Sequence, residues 1–171
     1  HITEPFGLVM YDHHTDMQSS IVGDMLSCGN WAKKALQNPF LHRLYLIGPS
    51  KHDLKSVERN KVLSFSIEEL EQGATIPLET KYPVYISIDK DVLDERYAMT
   101  NWNQGDMSLG MLEDVLAHFL KNCEVIGIDI CGDDPDIDDY PTYIKAERIN
   151  NLSDDALYQT AMKILKRRKK K

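Results

Sequence analysis

Five short apolar runs punctuate the chain, at residues 8–11, 44–48, 61–65, 84–88 and 125–128. Most are apolar on both faces, which predicts strands covered on both sides, as in a parallel sheet. Between them the pattern turns helical. Residues 24–36 are rich in helix formers and stop before Asn38-Pro39. Ser66-Ile67-Glu68-Glu69 reads as a capping box, and Gly73 can end the short helix it opens. Ser108 can cap a helix whose apolar stripe is Leu112, Val115, Leu116, Phe119 and Leu120, while Ser153 and Asp154 are expected to open a last helix with Leu157, Ala161, Ile164 and Leu165 on one face. Strands alternating with helices predict right-handed βαβ units in a three-layer α/β/α domain with a mostly parallel sheet. Residues 97–107 lack periodicity and are expected to loop over the strand-end side of the sheet.

The length of 171 residues fits one domain spanning 1–171 with a real core. No apolar run approaches the length that crosses a bilayer, so no membrane partner is expected. Cys28, Cys123 and Cys131 have no CxxC spacing, which argues against a disulfide framework or a thiolate zinc site and points to a reducing compartment, the cytoplasm. A formal net charge of −7 predicts a surface that repels nucleic acid. The basic run at residues 166–171 is the exception. With no interleaved aromatic residue to stack on bases, it reads as a solvated helix end complementing the dipole.

Two constellations carry chemistry. Asp12-His13-His14-Thr15-Asp16 directly follows the first apolar run, and alternation along an extended backbone would put Asp12, His14 and Asp16 on one face. Asp89 and Asp91 end the fourth run and would share a face in the same way. Carboxylates crowded at one sheet edge repel unless cations neutralise them, and oxygen-rich donors with some imidazole suit manganese better than zinc. In open parallel sheets the active crevice lies beyond the carboxyl ends of the strands, where both clusters would sit.

Asp12-His13-His14-Thr15-Asp16 resembles the D-x-H-x-D motif of the ureohydrolases (arginase, agmatinase and formimidoylglutamase). Residues 87–94 resemble their S-x-D-x-D-x-x-D motif. Gly127-Ile128-Asp129-Ile130 resembles the family's last conserved strand, whose motif ends near Pro135. The likeness runs from about Phe6 to the final helix. It implies an arginase-like fold and two Mn2+ ions. Asp12 and Asp89 would bridge both ions, Asp16 would complete the first site, and His14 with Asp91 the second. A metal-bridging hydroxide would then cleave a C–N bond of a guanidino or amidino compound. The resemblance also implies a small cationic or amidino substrate and a homo-oligomer.

Three departures from the family pattern shape the expectations. A G-G-D-H motif, whose histidine binds the first metal, precedes D-x-H-x-D in the family. The chain starts about one strand before Asp12, so the family's opening strands are expected to be missing and the first site to be one ligand short. His13 and His52 are candidates to substitute, with packing and surface roles as their plainer readings. The family's proton-transfer histidine has no counterpart in residues 27–31, where Asn30 is a candidate pocket residue and Cys28 is expected to be a buried helix residue. Gly132 stands where arginases place a guanidinium-binding glutamate, leaving Asp133 as a candidate substrate contact. The acidic set Asp133, Asp134, Asp136, Asp138 and Asp139 reads as a solvated loop. Beside the manganese hydrolase stand two alternatives: a zinc-dependent deacetylase-type amidohydrolase, and a catalytically silent scaffold with a residual metal site.

Overall fold

A computed structural model of the chain describes residues 2–19, 23, 25–58, 60–133 and 138–168. The five apolar runs form five strands: β1 (Phe6–Tyr11), β2 (Leu41–Gly48), β3 (Val62–Ser66), β4 (Val84–Asp89) and β5 (Val125–Cys131). They make one wholly parallel sheet in the order β3-β2-β1-β4-β5. From β1 the chain winds outward through β2 to β3, then crosses back to lay β4 and β5 on the other side. The winding reverses between β1 and β4, and a crevice opens there beyond the carboxyl ends of both strands.

Alternation along the strands divides the core into two layers. Val9, Tyr11, Tyr45, Ile47, Val84, Ile86 and Ile88 face α3 (Leu109–Asn122) and α4 (Tyr140–Arg168). Phe6, Leu8, Met10, Leu44 and Leu46 face Ala32 of α1 (Trp31–Ala35) and Val57. This is the three-layer arrangement expected from the alternating pattern. The two predicted caps are in place. Ser66 Oγ accepts from the Glu69 amide at 3.2 Å while Glu69 accepts from the Ser66 amide at 3.0 Å, opening α2 (Ile67–Glu71). Ser108 Oγ accepts from the Met111 amide at 3.2 Å, and Leu112, Leu116, Phe119 and Leu120 of α3 are buried as the stripe requires.

Two helices differ from expectation. The stretch 24–36 yields only a 3-10 turn (Cys28–Asn30) and the five residues of α1, with Asp24 outside the described residues. The last helix begins at Tyr140, so Ser153 and Asp154 lie in its interior instead of at its start. Its true cap is Asp139, whose carboxylate accepts from the Thr142 amide at 3.1 Å, with Pro141 in the first turn where its missing N–H costs nothing. Ser153 is buried, and its hydroxyl donates to the Tyr97 carbonyl. The side-chain amide of Asn150 accepts from the Met99 amide at 2.8 Å and donates to the Met99 carbonyl at 2.9 Å. Ser153 and Asn150 therefore hang the aperiodic 97–107 segment from α4. At the far end of the helix, Arg168 does more than complement a dipole. Its guanidinium donates to the Leu120 carbonyl at 2.8 Å and to the Cys123 carbonyl, closing the C-terminus of α3. Lys169, Lys170 and Lys171 lie outside the described residues. Among the described residues no helix is long and apolar enough to cross a membrane.

Asn150→Ala removes both partners of the Met99 backbone, and the expected cost is about 1–3 kcal/mol of unfolding free energy. Urea denaturation followed by Trp fluorescence measures it; an unchanged midpoint would show that the tether carries no stability.

Candidate metal centre

β1 and β4 each end in a turn built by an aspartate. After β1, Asp12 Oδ1 accepts from the His14 amide at 2.6 Å, an i to i+2 turn that folds His14 back over Asp12. At the end of β4, Asp89 Oδ1 accepts from the Asp91 amide at 3.0 Å and caps a 3-10 turn (Lys90–Val92). Asp16 adopts φ +50°, the left-handed region that aspartate tolerates better than most residues. Extended alternation, expected from the sequence, is therefore not what brings these side chains together; side-chain turns are. Gly48 makes room for this at the end of β2. With φ +118°, it passes so close to Asp12 that a Cβ would stand 2.7 Å from the Asp12 carbonyl oxygen and 2.4 Å from Val92.

Asp12, His14, Asp16, Asp89 and Asp91 all line one cavity of about 450 Å³. Ligating atoms of Asp12, His14 and Asp91 lie within 4.8 Å of one another. His14 Nδ1 is 2.8 Å from Asp91 Oδ2 and 3.5 Å from Asp12 Oδ1, and the other Asp91 oxygen accepts from the His13 amide at 3.0 Å. Asp12 and Asp91 are only 3% and 2% exposed, so their charges have little water to screen them. Asp16 is held from outside, accepting from the Trp31 indole N–H at 2.6 Å.

The electrostatics record this crowding. Burial pushes Asp12 well above the usual carboxylate range, and the charges of Asp91 and Asp16 push the same way against the His14 hydrogen bond. Asp16 is raised chiefly by burial, and Asp89 by burial and then by Asp91. His14 is raised by its hydrogen bond to Asp12 and by the charge of Asp91, against its own burial. Burial, with Asp89 and Asp129 nearby, lifts the Cys131 thiol to about 12. Each shift favours the form with less negative charge, as burial and neighbouring carboxylates dictate. Four carboxylates and one imidazole are the donor set that suits a divalent ion such as Mn2+.

The remaining sequence candidates fall elsewhere. Asn30 is buried, with its amide accepting from Ser27 N at 2.9 Å and donating to the Met25 carbonyl at 2.9 Å, and it does not line the cavity. Asp133 is drawn behind the site, 2.6 Å from the Lys90 ammonium. Cys28, expected to be a buried helix residue, is exposed and lines the cavity, because the stretch around it forms a short turn and not a long helix. His13 contributes its backbone amide to Asp91, its ring packing edge-on to His14; His52 is exposed beside Asp53. His1, Asp134, Pro135 and Asp136 lie outside the described residues. Sequence reasoning missed Asn101, Trp102 and Asn103, which form the cavity's outer wall, with the Trp102 ring 6.3 Å from that of His14. The signal was available: a tryptophan in an aperiodic loop expected on the strand-end side.

A doubly wound parallel α/β domain with a carboxylate-rich crevice at its switch point is the class that fold and site define. The Arginase family model matches residues 1–151, and the chain belongs to the arginase family. It is 33% identical over 149 residues to an uncharacterized protein of Thermotoga maritima, a match covering 87% of this chain and 56% of that protein. Among solved structures it resembles the proclavaminate amidino hydrolase of Streptomyces clavuligerus (TM-score 0.67, 20% identity, 92% of this chain and 56% of that one). It also resembles a Mn2+-bound triple mutant of the T. brucei arginase-like protein (TM-score 0.62, 22% identity, 93% and 53%). The chain thus spans about half the length of the relatives it matches.

Mn2+ is expected to raise the thermal midpoint of this protein, reversibly with chelator, by an amount equivalent to about 2.7 kcal/mol when the ion stands at about 100 times its Kd. The shift should vanish in Asp12→Asn. Equal shifts in both proteins would place the ion away from this cluster.

Proposed function

We propose that this chain holds the metal centre of a hydrolase that cleaves a C–N bond of a guanidino or amidino compound. The observation that carries the reading is the single cavity lined by Asp12, His14, Asp16, Asp89 and Asp91, with three ligating groups already in mutual reach. In this reading Asp12, His14, Asp16, Asp89 and Asp91 would together hold the two Mn2+ ions. When bound, the paired cations supply Lewis acidity and activate water for attack on the amidino carbon. The protein supplies fixed donors: backbone amides of His13, His14 and Asp91 orient three of the carboxylates before any ion arrives.

The outer wall suits a planar cation. Trp102 is 54% exposed above the cavity, and an indole face attracts guanidinium or amidinium groups. Asn101, Asn103, Gln18 and Ser27 add neutral hydrogen-bonding groups around it. Support from relatives is in kind: a structure of the same fold is named an amidino hydrolase, and another carries Mn2+. A cytoplasmic location and assembly into a homo-oligomer go with this reading.

A second reading, a metal-binding arginase-like domain without turnover, rests on the mutually close ligating atoms being, among the described residues, those of Asp12, His14 and Asp91, a set that suits one ion. Urea release from arginine and agmatine, and formamide release from formimidoylglutamate, with Mn2+ stoichiometry measured on the same preparation, separates the two. Turnover supports the hydrolase; bound Mn2+ with no product from any substrate supports the silent domain. Where turnover is found, Trp102→Ala is expected to raise KM for a cationic substrate by the equivalent of about 0.5–2 kcal/mol while leaving kcat nearly unchanged. An unaltered KM would remove Trp102 from substrate recognition.

A further inference from the structure

Between Asp89 and Asp91 in sequence stands Lys90, whose side chain is 1% exposed. A fully buried ammonium is rare and is retained only when paired. Lys90 Nζ donates to Asp133 Oδ1 at 2.6 Å, just beyond β5, and to Asp154 Oδ2 at 3.1 Å, in the interior of α4. The other Asp154 oxygen is buried with no hydrogen-bond partner among the described residues, so Lys90 is what compensates this carboxylate. Gly132 lets the chain after β5 close over this spot. With φ +97°, it lies where a Cβ would come within 2.8 Å of the Lys90 amide nitrogen and 2.4 Å of Asp89 Oδ1.

Lys90, Asp133 and Asp154 do not line the cavity. What they fix is the turn that does. Its Asp89 oxygen caps the Asp91 amide, and the Asp91 carboxylate in turn takes the His13 amide and the His14 ring. Displacing this turn would move Asp89, Asp91 and His14 relative to Asp12 together.

We propose that Lys90 is a positioning residue of the metal centre: its ion pairs to Asp154 and Asp133 hold the β4 turn where Asp89, Asp91 and His14 can share divalent ions with Asp12. The proposal rests on the metal-holding part of the function above and not on turnover. A purely stabilising role would make a different prediction. A buried ion pair can be exchanged for apolar groups of similar volume with little or no loss of stability, so stability and metal affinity can be separated.

The experiment is Mn2+ titration by calorimetry on the full chain, with the metal-free thermal midpoint measured in parallel. Lys90→Met is expected to weaken Mn2+ binding about 10- to 100-fold, the range typical of residues that orient ligands from behind. The double variant Lys90→Met/Asp154→Leu removes the orphaned carboxylate along with its partner. It is expected to recover the midpoint lost in Lys90→Met yet keep the weakened binding. Should Lys90→Met fail to fold, the double variant decides. Mn2+ affinity within about two-fold of the unaltered protein in a folded variant overturns the role of Lys90, since ligand-orienting residues typically cost far more. An unaltered protein that takes up no Mn2+ overturns the metal reading and the proposal with it.

Discussion

At the centre of the sheet, β1 and β4 run side by side and deliver their last residues to the same place. Four aspartates converge there, two of them almost wholly out of water. Burial raises the pKa values of Asp12, Asp16 and Asp89 above the usual carboxylate range, and repulsion from the neighbouring charges adds to it. The chain reduces the conflict with its own dipoles. The amides of His14, Asp91 and His13 point at Asp12, Asp89 and Asp91 respectively, and the Trp31 indole points at Asp16. In the proposed metal reading, the remaining negative charge is what would draw a divalent cation into the cavity.

Several features far apart in sequence make sense only through this constraint. Gly48 has no side chain because the Asp12 backbone needs the space, and Gly132 none because the Asp89 carboxylate does. The parallel order β3-β2-β1-β4-β5 matters because it makes β1 and β4 neighbours although 72 residues lie between the end of β1 at Tyr11 and the start of β4 at Val84; pairing of Tyr11 with Ile88 sets both turns at the same height.

Much of this was legible in the chain. Strands read cleanly because a sheet covered on both faces leaves nearly continuous apolar runs, and the ligand-type residues stood out because each cluster terminates such a run. The physical reason for their convergence was not legible, since local hydrogen bonding, and not strand alternation, turns His14 and Asp91 inward. The start of α4 was misplaced for a related reason. Ser153-Asp154 has the composition of a helix cap, but its hydroxyl answers a carbonyl 56 residues away and its carboxylate answers Lys90. Residues 140–152 carry no clear apolar stripe, so only Asp139 and Pro141 marked the real beginning. Likewise nothing local distinguishes Asn30, which holds its own loop, from an amide that faces a ligand.

The 29 residues of α4 touch the working parts of the molecule at several heights along one side. Asn150 and Ser153 carry the loop that bears Trp102, Asp154 meets the lysine behind the β4 turn, and Arg168 closes α3. A rigid rod attached at so many points behaves as a common ruler. Slipping its register by a single residue would rotate every attachment by about 100° and break them all at once. Only its outward side, where Tyr158 and Leu152 stand in solvent, is free of such attachments among the residues named here.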